Sequence, residues 1–388
     1  MDRSHSLFSQ SWFGGVKLAV AAGIAYFVAG RVGWVLRVEP GLAVFWPASG
    51  ISVGALIALG PRARLPVAAA VFVASTACGL TIGRNAWLSV AFGFLNTGQT
   101  LLVAWLLEQW FGRTFKLEDV RSVLGFFTAI ALGCAFAAAG AVFAIQLIEP
   151  TASPLHVWGL WFAAASLGVV TVAPLLIRLG DAIRAHLPRH ELMEGWAGLA
   201  ALAALTVFLI SLPDGPWATA LPEALVFPFL LRVAIRRRPV FAAGAALVVG
   251  LTVIGSATLN VGYFDPGKPL ADRILSAQTF VFIESILVVL LAAVFAERRQ
   301  VAERLQFALD GAVLGTFRAD LATGKFECDV RAAQSQGHCV PPTTIKEARR
   351  FVHPECDPAH RTWCILITAV GVPTRNFLAP VPPQTQPQ

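Results

Sequence analysis

Hydrogen-bonding and ionisable side chains lie inside stretches of this sequence that are otherwise apolar. Asn96, Gln99 and Thr100 lie near the middle of one stretch, and Gln278 and Glu284 lie in another. Such groups have no water to bond inside a bilayer, so each needs a partner or a function. Asn96 and Thr100 are four residues apart and share one helix face. All five are candidates for ligand sensing; the alternative for the first three is hydrogen bonding to neighbouring helices.

The carboxyl group of Glu284 is the hardest of these to explain as packing. A buried carboxylate needs a cation, a hydrogen-bond donor or a proton. In a receptor it would contact a ligand or take part in a proton-coupled step. In a small-solute transporter or channel, the alternative function, it would lie on the path of the solute. Inverted repeats favour transport, and none is visible in the sequence.

The segment 44–50 combines an aromatic residue with a helix start. Trp46 suits a membrane interface, where indole rings are common. Pro47 suits the first turn of a helix, where its missing N–H is not needed. The segment predicts either a well-formed helix entrance or the wall of a pocket open to the outer side. Trp46 and Pro47 are therefore also candidates for ligand sensing.

The composition indicates a chain that lies largely in lipid. Of its 388 residues, 56% are hydrophobic and only 14% are charged, whereas soluble domains carry about a quarter charged residues. The net charge of +7 comes mainly from short loops between apolar runs. It therefore reports membrane topology, and we predict no nucleic-acid partner.

Ten apolar segments approach the length of about 20 residues that a bilayer core requires. They cover residues 12–30, 42–60, 65–82, 86–108, 123–147, 156–178, 196–212, 220–233, 239–259 and 274–295. We therefore predict an all-α polytopic bundle of about ten transmembrane helices, a multi-pass protein of the cell (inner) membrane, over residues 1–297.

Lys and Arg residues orient the bundle. The loops after the second, fourth, sixth and eighth segments carry 12 of them, and the other loops carry five. Because positive loops stay on the cytoplasmic side, the first set is predicted to be cytoplasmic. With ten crossings both termini are then cytoplasmic. Glu297, Arg298 and Arg299, directly after the last segment, agree with this orientation.

Four stretches resemble, in order, the first MASE type of bacterial membrane-associated sensor domain. They are residues 46–51 (WPASGI), 167–176 (LGVVTVAPLL), 227–231 (FPFLL) with Arg236 five residues further on, and 276–280 (SAQTF) leading into 296–299 (AERR). The resemblance covers about residues 12–300, and it adds Arg236 to the ligand-sensing candidates. Members usually feed histidine kinase or diguanylate cyclase output domains, often through PAS domains. Many members have a Gly-Asp pair at the positions of Ala164 and Ala165. This chain lacks that acidic residue, so the ligand chemistry of those members is not assigned to it.

The last apolar segment continues into a charged helix. Val294, Val301, Leu305 and Ala308 form a stripe at helical spacing that is compatible with pairing to a second helix. Residues 298–309 are therefore predicted to be a signalling-helix linker, with a homodimer formed through it. The alternative is an amphipathic linker that pairs with nothing.

Residues 310–362 resemble the opening and middle of a PAS domain, with the likeness beginning at about residue 305. A strand is predicted at 315–320, a turn at 322–325 and a second strand from Phe326. Residues 363–388 are rich in Pro and Gln and are predicted to be an irregular tail left by truncation or a frameshift. The expected result is a short, incomplete α+β PAS-like tail in the cytosol.

The motifs that would support other chemistry are missing from the tail. His and Cys residues occur at 338, 339, 353, 356 and 360, but without a Cys-x-x-Cys pair or regular spacing, so no metal site is predicted. There is neither a Gly-rich phosphate loop with a Lys nor a GGDEF stretch. We predict no enzymatic activity and no cofactor. The expected function is the input part of a sensor histidine kinase or diguanylate cyclase, without its output domain, that responds to an unknown small molecule.

Overall fold

The computed structural model describes residues 3–39, 42–113, 115–148, 150, 153–184, 188–211, 226–233, 238–259, 269–311, 315–320, 323–328, 330, 341–350 and 375–379. The chain divides into two compact units, Met1–Glu297 and Arg298–Gln388.

The first unit is built from helices. They are α1 (Arg3–Val35), α2 (Pro47–Leu59), α3 (Arg64–Thr81), α4 (Ala86–Phe111), α5 (Val120–Gln146), α6 (Pro154–Arg184), α7 (Arg189–Ile210), α8 (Pro239–Leu259) and α9 (Leu270–Gly311), which runs on into the second unit. Residues 226–233 are also helical. A short hairpin of β1 (Arg37–Glu39) and β2 (Leu42–Ala43) joins α1 to α2, and a 3₁₀ turn, Pro61–Ala63, precedes α3.

Eight of the described helices are long and apolar enough to cross a membrane. The candidate spans are Gly15–Val35, Pro61–Thr81, Ala86–Phe111, Val120–Gln146, Pro154–Gly180, Arg189–Leu209, Pro239–Thr258 and Asp272–Arg304. The protein is therefore an integral, multi-pass protein of the cell membrane.

Two of the ten predicted segments are not among these spans. The second, 42–60, contains a helix of only 13 residues, which is about 20 Å long against a hydrocarbon core of about 30 Å. Leu42 and Ala43 form strand β2, and residues 44–46 are neither strand nor helix. Of the eighth, 220–233, the part before residue 226 lies outside the described residues.

Helices α1 and α3 run in the same direction. Gly23 on α1 faces Ala70 on α3, and Gly30, seven residues further along α1, faces Cys78, eight residues further along α3. At the other end, the guanidinium of Arg84, just after α3, lies 5.7 Å from the ring centroid of Trp34 on α1. The chain between them, which holds the hairpin and α2, must therefore return along the bundle.

Helix α2 lies at the centre of the bundle against α6. Pro47 occupies its first turn, as predicted. The two backbones meet at glycines: a Cβ atom on Gly50 would lie 2.2 Å from the carbonyl oxygen of Gly168. A Cβ atom on Gly168 would lie 2.0 Å from the carbonyl oxygen of Trp46. Small residues at both positions are what permits this approach.

The second unit contains a small antiparallel sheet among its described residues. Strand β3 (Gly315–Ala319) pairs with β4 (Phe326–Cys328) and with β5 (Arg375–Ala379), and α10 (Ile345–Arg350) follows β4 in sequence. Strands β3 and β4 lie where strands are predicted, and Gly324 between them has a φ of 72°, which suits a tight turn. Strand β5 lies in the segment for which an irregular tail is predicted.

Candidate functional site

A small cavity, here called the aromatic pocket, lies between α1, β2, α3, α4 and α6. Its lining comprises Trp34, Ala43, Trp46, Ser75, Gly79, Arg84, Phe92, Asn96, Trp161, Ala164 and Ala165. The centre of a water molecule can move through about 40 Å³ of it. That is room for roughly three water molecules or a small solute.

Aromatic rings and one guanidinium group form the wall of the pocket. The rings of Phe92 and Trp161 meet edge to face, with centroids 4.5 Å apart. The guanidinium of Arg84 lies 4.8 Å from the centroid of Phe92 and 5.7 Å from that of Trp34, within the range of cation–π attraction. Burial lowers the pKa of Arg84. The pocket thus holds a positive charge between aromatic faces.

Two polar side chains of the pocket bond to a neighbouring helix, and a third has no partner among the described residues. Asn96 Nδ2 donates to Ser75 Oγ at 2.9 Å, and Trp46 Nε1 donates to Tyr26 Oη at 3.4 Å. Trp161 Nε1 is buried and has no hydrogen-bond partner among the described residues. Because an indole N–H can only donate, it suits a bound solute that carries an acceptor.

The non-helical segment 43–46 fixes one side of the pocket. Trp46 N donates to the carbonyl oxygen of Ala164 on α6 at 3.1 Å. Gln278 Nε2 on α9 donates to the carbonyl oxygen of Val44 at 2.8 Å. Ala43 and Trp46, which flank this bond in sequence, both line the pocket. A wall of the pocket is thereby bonded directly to α9.

Phe45 secures the same segment from the opposite side. Its side chain is fully buried in a core cluster that also contains Ala277 and Val281 of α9. The side chains of Phe45 and Trp46 therefore belong to different parts of the bundle, one with α9 and the other at the pocket. A shift of this segment would therefore change the packing both against α9 and at the aromatic pocket.

Only some of the predicted site residues come together. Trp46 and Asn96 line the pocket. Thr100 and Gln99 do not; they contact side chains of neighbouring helices, which was the alternative prediction for them. Thr100 Oγ1 lies 2.7 Å from Ser52 Oγ on α2, and Gln99 Nε2 donates to Cys134 Sγ on α5 at 3.4 Å.

The remaining candidates lie elsewhere. Gln278 contacts the pocket wall through the backbone of Val44. Pro47 is buried in the first turn of α2 and is not a lining residue. Glu284 is 5% exposed and lines a separate groove. Arg236 lies outside the described residues.

Apart from Trp46 and Asn96, the lining was not predicted from the sequence, including the residues that form the aromatic wall and its cation: Trp34, Arg84, Phe92 and Trp161. Trp34 and Arg84 each end an apolar segment at the side predicted to face outwards. That pairing of an aromatic residue with a cation at one end of the bundle was the available signal. Phe92 and Trp161 resemble any other interfacial or core aromatic residue in sequence.

The same region of the chain carries a family match. Residues 18–299 match the MASE1 family, which is more than half of the chain. The chain belongs to the MASE1 family. No curated protein and no solved structure matches it. MASE1 is a membrane sensor domain, so the chain carries an input module of membrane signalling.

The extent of the MASE1 match determines which of the predicted resemblances it confirms. It confirms the resemblance that the apolar motifs indicate over about residues 12–300. It ends at residue 299, so the PAS resemblance of the tail stays a prediction. The aromatic pocket lies entirely within the MASE1 region.

Proposed function

We propose that this MASE1 protein is the input part of a sensor histidine kinase or diguanylate cyclase, and that it senses a small solute in the aromatic pocket. The hydrogen bond from Gln278 to the carbonyl oxygen of Val44 is the observation that carries the proposal. It joins the pocket wall to α9, the one described helix that contains residues of both units. The chain itself is expected to have no catalytic activity.

Binding would act on the position of the segment 43–46. A solute that accepts a hydrogen bond from Trp161 and packs against Trp46 fills the pocket and fixes its wall. A ligand shifts a conformational equilibrium only by its difference in affinity for the two states. The states here differ in whether Val44 stays within reach of Gln278. Small shifts of packed helices of this kind are common in switching proteins.

The topology supports a pocket at the outer end. Since α1 and α3 are parallel, the chain between them crosses the bilayer. Helix α2 is about 20 Å long, and the non-helical residues 42–46 before it supply the remaining length toward a core of about 30 Å. Residues 220–233, predicted from the sequence as a further crossing, would bring the number of crossings to ten. The basic loops and both termini then lie in the cytoplasm, and the Trp34–Arg84 end faces outwards.

The end of α9 supports a homodimer through the signalling helix. Val301, near the end of the last span, and Phe307, just after it, are 61% and 81% exposed in a charged stretch of the helix. Exposed apolar residues on such a helix favour pairing with a second copy. Dimerisation would place two tails side by side, as a paired output domain requires.

Hydrogen exchange of the full chain in lipid nanodiscs tests the transmission step. Gln278→Leu removes the bond to Val44, and we expect faster exchange both in residues 36–46 and in residues 298–311. Thr279→Val is the matched control, because the Thr279 hydroxyl bonds only to Leu275 of its own helix among the described contacts. Faster exchange confined to residues 36–46 would show that the bond is structural and would refute transmission through α9.

A further inference from the structure

A second cavity lies between the helical residues 226–233 and α9, and is here called the Glu284 groove. Its volume is about 790 Å³, which is within the range of sites for cofactor-sized or drug-sized molecules. It lies in the membrane unit and shares no lining residue with the aromatic pocket.

The groove opens on the lipid-facing surface of the bundle. Phe227, Leu275 and Ile283 line it and are 38%, 63% and 59% exposed. Leu275 and Ile283 belong to the last candidate span, so the opening faces hydrocarbon. Phe280 adds a second aromatic ring to the lining. A molecule that enters from the bilayer meets mainly apolar surface.

Glu284 is the polar exception in this wall. The residue is 5% exposed. Its Oε2 accepts a hydrogen bond from Ser285 Oγ at 3.4 Å, and its Oε1 has no hydrogen-bond partner among the described residues. A buried carboxyl oxygen without a partner is unfavourable, and most unfavourable inside a membrane. A donor supplied by a bound molecule would remove that cost.

The other hydroxyl groups of the groove do not compete for this position. Ser276 Oγ donates to the carbonyl oxygen of Asp272, and Thr279 Oγ1 donates to that of Leu275. Both are therefore satisfied within α9. Among the described lining residues, Glu284 is the only ionisable one.

We propose that the Glu284 groove binds a bilayer-soluble molecule with an apolar, partly aromatic body and a neutral phenolic hydroxyl that donates a hydrogen bond to Glu284. A neutral hydroxyl is favoured over an ammonium group. Moving an ammonium group from water into the apolar groove carries a desolvation penalty, and attraction to the single Glu284 side chain does not offset it. Phe227 and Phe280 suit an aromatic body. The proposal is independent of the solute in the aromatic pocket.

The test compares two probes that differ in one donor. Full-length protein in nanodiscs is titrated with 4-hexylphenol and with 4-hexylanisole, whose methyl ether cannot donate. We expect about tenfold tighter binding of the phenol, the ratio that corresponds to about 1.4 kcal/mol. Glu284→Leu should abolish this preference and leave anisole binding unchanged. Ser276→Ala, the matched control in the same wall, should leave both affinities as they are.

A second variant keeps the test decisive if Glu284→Leu does not fold. Ile283→Trp fills the groove beside an unchanged Glu284 and should weaken both probes. Equal binding of the two probes to the unmodified protein, or phenol binding that Ile283→Trp leaves intact, would overturn the proposal. Tighter binding of 4-hexylbenzylamine than of the phenol would identify a cation site and would overturn it as well.

Discussion

Replacement of Gly168 by Ala tests the close contact on which the pocket wall depends. The added Cβ atom would lie 2.0 Å from the carbonyl oxygen and 2.6 Å from the carbonyl carbon of Trp46. Close carbon–oxygen contacts lie at about 3.4 Å. The start of α2 and the middle of α6 must therefore separate by about 1.4 Å.

That separation has two costs. The hydrogen bond from Trp46 N to the carbonyl oxygen of Ala164, 3.1 Å long, stretches beyond bonding distance. A buried backbone group left unpaired costs about 1–3 kcal/mol, and overpacking costs about 1–3 kcal/mol more. The better helix propensity of Ala offsets about 1 kcal/mol. We expect Gly168→Ala to lower the free energy of unfolding by about 1–5 kcal/mol.

The assay is thermal unfolding of the purified protein, followed by tryptophan fluorescence and by the fraction that remains monodisperse after heating. Gly159→Ala is the matched control: it lies in the same helix, and no atom comes within 4 Å of its added Cβ. The control should be as stable as the unmodified protein or slightly more stable. If Gly168→Ala unfolds at the same temperature as Gly159→Ala, the described contact between α2 and α6 is wrong.

Three further predictions concern polar contacts and topology. Thr100→Val, which removes a bond to α2, should cost about 0.5–1.5 kcal/mol in thermal unfolding, whereas Thr97→Val, whose hydroxyl bonds within its own helix, should cost less. Glu108→Gln removes ion pairs to two arginines and should cost less than about 1 kcal/mol, with a smaller effect at high salt. In a chain whose own cysteines are replaced, Arg62→Cys should react with an impermeant maleimide only from the cytoplasmic side and Gly83→Cys only from the outer side; the reverse labelling would refute the proposed orientation.

The long helices were predictable because their apolar runs are longer than those of helices or strands in soluble proteins. The segment 42–60 shows where this reasoning fails. Hydropathy does not depend on backbone conformation, so the apolar run does not reveal that residues 42–46 are not helical and that the helix begins only at Pro47. The non-helical part depends on bonds to Ala164 and Gln278, which are distant in sequence. No local pattern encodes them.

The site was predictable only in part for a similar reason. Asn96 stood out because an amide in hydrocarbon needs a partner, and its partner proved to be Ser75, 21 residues earlier. Gln99 and Thr100 gave the same signal but face other helices. Position on the helix circumference separates these residues, and a single sequence does not say which neighbour each face meets.

The non-helical segment 43–46 connects the two properties on which the proposed function depends. Non-helical backbone is tolerated at membrane depth only where protein satisfies its polar groups. Here the neighbours that satisfy the segment belong to α6 and, through Gln278, to α9. A continuous helix in this place would bond to itself and would leave Gln278 without an acceptor on that chain segment. The non-helical segment before α2 therefore does two things at once: it shapes the pocket wall, and it makes the bonds of that wall depend on α9, the helix that contains the last candidate span. A solute that moves the wall has to act on that bond.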